Sequence, residues 1–301
     1  MSEKGPLTSA LGLPALSLLY ASVIWGWSFP VTKDLFQFID PISFTAYSFI
    51  LSGLGVLLIE YFWHGVHFSF RWKEGLALGV LLVLVELPQA IGLGESSSQN
   101  TAFISNSGLL FLPFLGWILM RDRLYLRHLY ALAICAIGLY LITGGVSALV
   151  VGDAWLFLAA LFMPIFLAYS AKFEREGSSD LMMLTAQQFI LAGLVSLVFI
   201  PDYSAIINMP GDAWTSFLMI TFLATFLPYF FVQWAERRVH MVTATFIYAL
   251  EPVFGGLFAW TLGGESVTAL KVCGAFLVLL ALLISQLHTR HVAEYVKARY
   301  Q

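Results

Sequence analysis

A ten-residue stretch of this chain occurs twice, with most positions identical. Thr45-Ala46-Tyr47-Ser48-Phe49-Ile50-Leu51-Ser52-Gly53-Leu54 returns 140 positions later as Thr185-Ala186-Gln187-Gln188-Phe189-Ile190-Leu191-Ala192-Gly193-Leu194. Both copies are apolar runs of the kind that cross a bilayer as helix. A repeat unit with an odd number of crossings places its second copy upside down in the membrane, the construction that secondary carriers use to form a midplane site between two halves.

Apolar stretches of about 20 residues, enough to cross roughly 30 Å of hydrocarbon, recur along the whole chain. Its 301 residues are 59% hydrophobic and 11% charged, with a mean hydropathy of +0.85. Soluble domains carry about 25% charged residues, so this chain lacks the polar surface to face water on all sides. An all-α integral membrane protein is expected. The first apolar run, from about Leu11 to Val31, is too long for a signal-peptide core and reads as the first span. Cys135 and Cys273 fall inside apolar runs and read as small hydrophobes.

Ten spans are expected, at 13–33, 41–63, 74–95, 99–120, 126–144, 154–172, 181–200, 213–234, 241–262 and 267–288. With these spans, every one of the 15 Lys and Arg residues except Lys33 and Lys271 falls on the side of the N-terminus. Basic loops stay in the cytoplasm. A multi-pass protein of the cell's inner (plasma) membrane with both termini cytoplasmic is therefore expected. The repeat continues beyond one helix. Leu87-Pro88 matches Leu227-Pro228 at the same offset, and spans 4 and 9 align at an offset of 143 through Phe103-Ile104 with Phe246-Ile247, Phe111 with Phe254, Trp117 with Trp260 and Asp122 with Glu265. The chain divides into two inverted five-helix repeats, 1–147 and 148–301.

Trp25-Gly26-Trp27-Ser28-Phe29-Pro30, Asn100-Thr101-Ala102-Phe103, Leu250-Glu251-Pro252-Val253 and Gly274-Ala275 together resemble the EamA-like transporters of the drug/metabolite transporter superfamily. The resemblance covers nearly the whole chain. It implies ten helices with the fifth of each half peripheral, a central cavity between the halves, and export or exchange of small metabolites. The Arg usual near the start of span 2 is replaced here by Tyr47-Ser48, so no role of that Arg carries over.

Charges inside spans are costly and mark functional candidates. Glu60 lies near the cytoplasmic end of span 2, where its carboxylate is expected to reach water. Glu86 and Glu251 lie deep in spans 3 and 9, with no Lys or Arg at equivalent depth. Each is either a protonated structural residue hydrogen-bonded to backbone, or a cavity group that meets a proton or a cation. Both sit beside prolines, Pro88 and Pro252. Proline frees a backbone carbonyl and kinks a helix, which a spanning helix tolerates where protein or cavity water satisfies the freed group.

Polar and aromatic residues on spans 1, 3, 4, 6, 8 and 9 complete the candidate solute-binding set. They are Trp25, Ser28, Gln89 and Asn106 in the first half, and Tyr169, Tyr229, Gln233 and Tyr248 in the second, with Glu86 and Glu251. Aromatics enclose apolar or cationic groups and amides orient polar ends. Trp27 belongs to the same pattern, while Trp234, next to Arg237-Arg238, is expected at the interface. Asp122 and Glu265 follow spans 4 and 9 and are expected to cap the start of the next helix. Glycines inside spans, Gly53 and Gly193 among them, are expected to serve close helix packing.

No cofactor is expected. The glycine pairs have no P-loop context, and the six histidines all fall in loops or at span ends without metal-ligand spacing. The partners expected are a small-molecule solute, protons and the lipid bilayer, with no nucleic acid. A secondary transporter is the leading class, ahead of a membrane-embedded enzyme and of a receptor or assembly protein. Amino acids or related amphipathic metabolites lead as solutes, with cationic drugs or other organic cations second.

Overall fold

The computed structural model describes residues 12–64, 71–111, 114–115, 117–118, 124–145, 148–176, 181–236 and 247–286. Among them the secondary structure is helical throughout. The helices are α1 (Leu13–Leu35), α2 (Pro41–His64), α3 (Trp72–Glu95), α4 (Ser98–Ser107), α5 (Leu126–Thr143), α6 (Val151–Glu176) and α7 (Leu181–Leu197). Then come α8, three consecutive segments covering 211–236, α9 (Glu251–Thr261) and α10 (Ala269–Gln286). Six of these, α1, α2, α3, α5, α6 and α8, are long and apolar enough to cross a membrane. Large apolar side chains face outward, such as Phe62 at 80% and Val198 at 76% exposure. In water such a surface would be a liability; in lipid it is the solvated face.

The expected spans 4 and 9 are interrupted. The α-helical part of α4 stops at Ser107 and tightens into a 3-10 turn, Gly108–Phe111. Gly108 lies so close to α6 that a Cβ there would stand 2.3 Å from the Ala160 carbonyl oxygen. That carbonyl is four residues before Pro164, so the proline leaves it without its ordinary donor. On the other side, α9 begins only at Glu251, with Pro252 in its first turn, where a missing N–H costs no helix bond. Residues 241–246 of the expected span 9, and Asp122, lie outside the described residues.

Helix α8 is the third irregular element. Its middle segment, Thr221–Phe226, is π-helical and runs directly into Leu227-Pro228. Pro228 has no N–H for the Ala224 carbonyl, and the Trp25 indole N–H of α1 donates to that oxygen instead, at 2.9 Å. One residue earlier, the Leu223 carbonyl accepts from the Tyr20 hydroxyl at 3.1 Å. Donors from α1 thus satisfy backbone that the wide turn and the proline leave open.

Two helix pairs contact each other reciprocally. On α2 and α7, a Cβ at Gly53 would lie 2.6 Å from Ile190 Cγ1, and one at Gly193 2.5 Å from Ile50 Cγ1. These residues are each other's equivalents in the repeat. On α5 and α10 the backbones themselves meet: a Cβ at Gly138 would lie 2.8 Å from the Gly274 carbonyl oxygen, and one at Gly274 2.6 Å from that of Gly138. Close approach of this kind replaces the hydrophobic drive that lipid removes. Because the Gly274 contact is with backbone, Gly274→Ala should destabilise by about 1–3 kcal/mol. A lower unfolding temperature in detergent is the expected reading; an unchanged one would mean that α5 and α10 can separate freely.

A polar knot ties the start of α4 to its neighbours. Ser96 Oγ bonds the Asp153 carboxylate of α6, and Lys33 Nζ of α1 donates to the Ser96 carbonyl. Asn100 Nδ2 and Val150 N also donate to Asp153, at 2.9 and 3.0 Å. The expectation for Glu265 needs correcting. It caps a helix, but α4 rather than the next one, accepting from Ser98 N at 2.6 Å and Gln99 N at 3.2 Å. The free amides of α4 lie nearer in space than those of α10, and a carboxylate is favoured at any helix N-terminus within reach. Glu265→Ala should cost about 0.5–2 kcal/mol of stability and leave the ranking of solutes intact. A changed ranking in a well-folded variant would contradict a purely anchoring role. Glu60 also departs from expectation, since it is buried rather than open to water.

Candidate functional site

One face of each of several helices converges on a cavity of about 160 Å³. On α1 the lining residues are Trp25, Ser28, Phe29 and Thr32, spaced i, i+3, i+4, i+7, which is one side of a helix. From α2 come Phe44, Thr45, Ser48 and Phe49, and from α3 Glu86, Gln89, Ala90 and Leu93. Ser105 and Asn106 enter from the last turn of α4, and Glu251 from the first residue of α9. Helix α8 contributes Ile220, Ala224 and Thr225 around its π-helical segment, and Tyr229 just after Pro228. Among the described lining residues none is Lys, Arg or His.

The two carboxylates are held differently. Asn106 Nδ2 donates to Glu251 Oε1 at 3.1 Å and to the Ala102 carbonyl at 2.9 Å. Tyr229 donates its hydroxyl to Glu86 Oε1 at 3.4 Å. Between them stands an aromatic group. The Trp25 ring meets the Tyr229 ring edge-on at 5.9 Å and tilts against Tyr248 at 6.4 Å. Phe189 packs under Tyr229 at 4.8 Å. At the α2 side, Ser48 and Thr221 share a buried hydrogen bond of 2.9 Å, in the region where the family's Arg is absent.

Seven residues singled out from sequence therefore line one cavity: Trp25, Ser28, Glu86, Gln89, Asn106, Tyr229 and Glu251. Tyr248 reaches it through the Trp25 ring. Tyr169 does not line it; its ring is exposed on α6 and packs on Phe173 at 5.8 Å. The side chains of Gln233 and Trp234 lie outside the described residues. The hydroxyl wall of Thr32, Thr45 and Ser48 was missed. Thr32 was within reach, because it continues the Trp25–Ser28 face by one turn. Thr45 and Ser48 carried a cue as well, since with Ser52 they form a polar stripe at i, i+3, i+7 on an otherwise mostly apolar helix.

The family model for EamA-like transporters matches residues 12–144 and again 150–286. The chain belongs to the EamA-like transporter family. That family is part of the drug/metabolite transporter superfamily. Three relatives named as uncharacterized transporters match across most of their length. An "uncharacterized transporter" of Archaeoglobus fulgidus is 26% identical over 272 residues, covering 90% of this chain and 85% of the relative. One of Methanothermobacter thermautotrophicus is 21% identical, with 89% and 84% covered. "Uncharacterized transporter YyaM" of Bacillus subtilis is also 21% identical, with 89% and 92% covered. A solved crystal structure shares the fold at a TM-score of 0.66 and 14% identity, covering 93% of this chain and 98% of its own. Membership of this EamA-like family indicates a transporter rather than an enzyme, embedded in a bilayer and handling a small solute.

Proposed function

We propose that this EamA-like protein is a secondary transporter that moves small amphipathic metabolites across the bacterial inner membrane, as an exporter or exchanger working by alternating access. The observation that carries this reading is the cavity itself, built by helices from both sequence halves and holding two carboxylates among aromatic, hydroxyl and amide side chains. In the proposed arrangement α4, α7, α9 and α10 cross the membrane with the six longer helices. They form two inverted halves, 1–147 and 148–301, with both termini cytoplasmic. The reciprocal glycine contacts of α2 with α7 and of α5 with α10 support that symmetry. The placement of the basic residues supports the orientation.

Solute uptake by vesicles carrying the purified protein tests the class directly. Flux without chemical change is expected; conversion of a solute without flux would favour a membrane enzyme. Cysteines introduced at Ser97 and Gly264 should label from outside, and those at Arg123 and Arg238 from inside. Labelling of positions 97 and 123 from one side would overturn the orientation. Among solutes, amino acids and organic cations were the two classes in view. Paired carboxylates beside an aromatic group, with no basic residue among the described lining residues, favour a solute that brings a positive charge. A proton is the second candidate partner of Glu86 and Glu251.

A further inference from the structure

We infer that the α4–α9 end of the cavity is a subsite for a primary ammonium group, and that its solute is a small amine without a carboxylate. This rests on the reading of the cavity as the transport site. Asn106 is 2% exposed, and its amide orientation is set by its two acceptors. The NH₂ must face the Ala102 carbonyl, which can only accept, and the same nitrogen then reaches Glu251 Oε1. That leaves Asn106 Oδ1 buried with no hydrogen-bond partner among the described residues. Ser105 Oγ, on the adjacent residue of α4 and also 2% exposed, is in the same position. Both residues line the cavity beside Glu251.

Asn106 Oδ1 can only accept, Ser105 Oγ can accept as well as donate, and Glu251 adds a carboxylate, so acceptor sites outnumber donors at this end. A buried acceptor left unmet carries the full cost of its desolvation, so the fitting occupant brings several N–H groups to one point. A primary ammonium has three donors and a positive charge. It offers a donor each to Asn106 Oδ1, Ser105 Oγ and the Glu251 carboxylate, and Trp25 lines the same cavity and supplies a ring for the cation. Alkylamines, like the lysine side chain, are charged at neutral pH. A quaternary ammonium has the charge but no N–H, and leaves both acceptors unmet.

The rest of the cavity argues against a zwitterion. A free amino acid would bring a carboxylate into a space that already holds Glu86 and Glu251 and no described basic residue. Apart from the Gln89 amide, what remains there is apolar or hydroxylated, with Phe44, Phe49, Leu93 and Ile220 beside Thr45 and Ser48. This suits an alkyl or hydroxyalkyl tail.

Three probes with one carbon skeleton separate these chemistries: isoamylamine, its N,N,N-trimethyl derivative, and L-leucine. Binding to the purified protein in detergent is measured by calorimetry and by the rise in unfolding temperature. Isoamylamine should bind at least about 10-fold more tightly than either analogue, and Asn106→Leu or Ser105→Ala should erase most of that preference. Equal or tighter binding of leucine or of the trimethyl compound, or no binding of isoamylamine, overturns the assignment whatever the variants do. Counterflow of labelled isoamylamine in vesicles separates the two levels. Selective binding without exchange supports the ammonium subsite and counts against the transporter reading. Exchange of some other solute without amine binding counts against the subsite alone.

Discussion

Glu251→Gln should weaken binding of cationic solutes by at least about 30-fold, the lower end of the 2–5 kcal/mol typical for removing one partner of a buried charge pair. Neutral solutes should be affected far less. The replacement is nearly isosteric, and a Gln oxygen can still accept from Asn106 Nδ2 as Glu251 Oε1 does at 3.1 Å, so folding should survive. If instead Glu251 carries a coupling proton, the variant should exchange solute at its usual rate but no longer respond to a pH gradient imposed across the vesicle. Both results follow from its place at the first residue of α9, on the cavity wall and 9% exposed. Normal affinity for every solute combined with a normal pH response would make Glu251 a protonated structural residue, and the proposed role would fail.

Trp25→Phe should slow exchange by roughly 5- to 150-fold and lower the unfolding temperature. Phenylalanine keeps a ring against Tyr229 and Tyr248 but removes the N–H that serves the Ala224 carbonyl. With Pro228 unable to donate, that oxygen is left bare in a water-poor interior, at a cost of about 1–3 kcal/mol. Tyr20→Phe offers the comparison: it deletes the adjacent bond to Leu223 from a residue that does not line the cavity. Its effect should be confined to stability. Should Trp25→Phe exchange within twofold of the parent rate, the indole bond across the α1–α8 contact has no part in transport.

Much of the architecture could be read from the chain because lipid imposes a simple rule: about 20 apolar residues per crossing, with Gly, Pro and charge at the ends. The expected edges of α1, α2, α3, α5, α6 and α8 fall within a few residues of the helices found. Glu86 and Glu251 were legible as cavity residues because a carboxylate next to proline has few tolerable places in hydrocarbon. What was hidden is rotational. On a mostly apolar helix such as α2 only a thin polar stripe, Thr45, Ser48 and Ser52, says which side faces inward, and that stripe was passed over. Tyr169 was drawn into the set by its residue type and its place on span 6, neither of which says which side of the helix carries it. Glu265 shows a different limit: proximity along the chain suggested α10, while the amides it caps belong to α4, and contacts across the fold are not written in spacing.

The mutual contact of Gly53 with Ile190 and of Gly193 with Ile50 has the form of an isologous dimer interface, in which i touches j and j touches i. Two separate identical subunits would have to present every residue twice. Joined on one chain, the halves are free to differ where difference is useful. Along the repeat, the position of Glu251 is occupied in the first half by Gly108, and that of Glu86 in the second half by Phe226. Each carboxylate is thus single. One copy of the matching position instead supplies a glycine that lets α4 lie against α6, and the other an aromatic ring of α8 packed against α2 and α7. In the proposed arrangement, fusion of the halves lets a two-fold scaffold hold a one-sided site, with a head end and a tail end, able to orient an asymmetric solute.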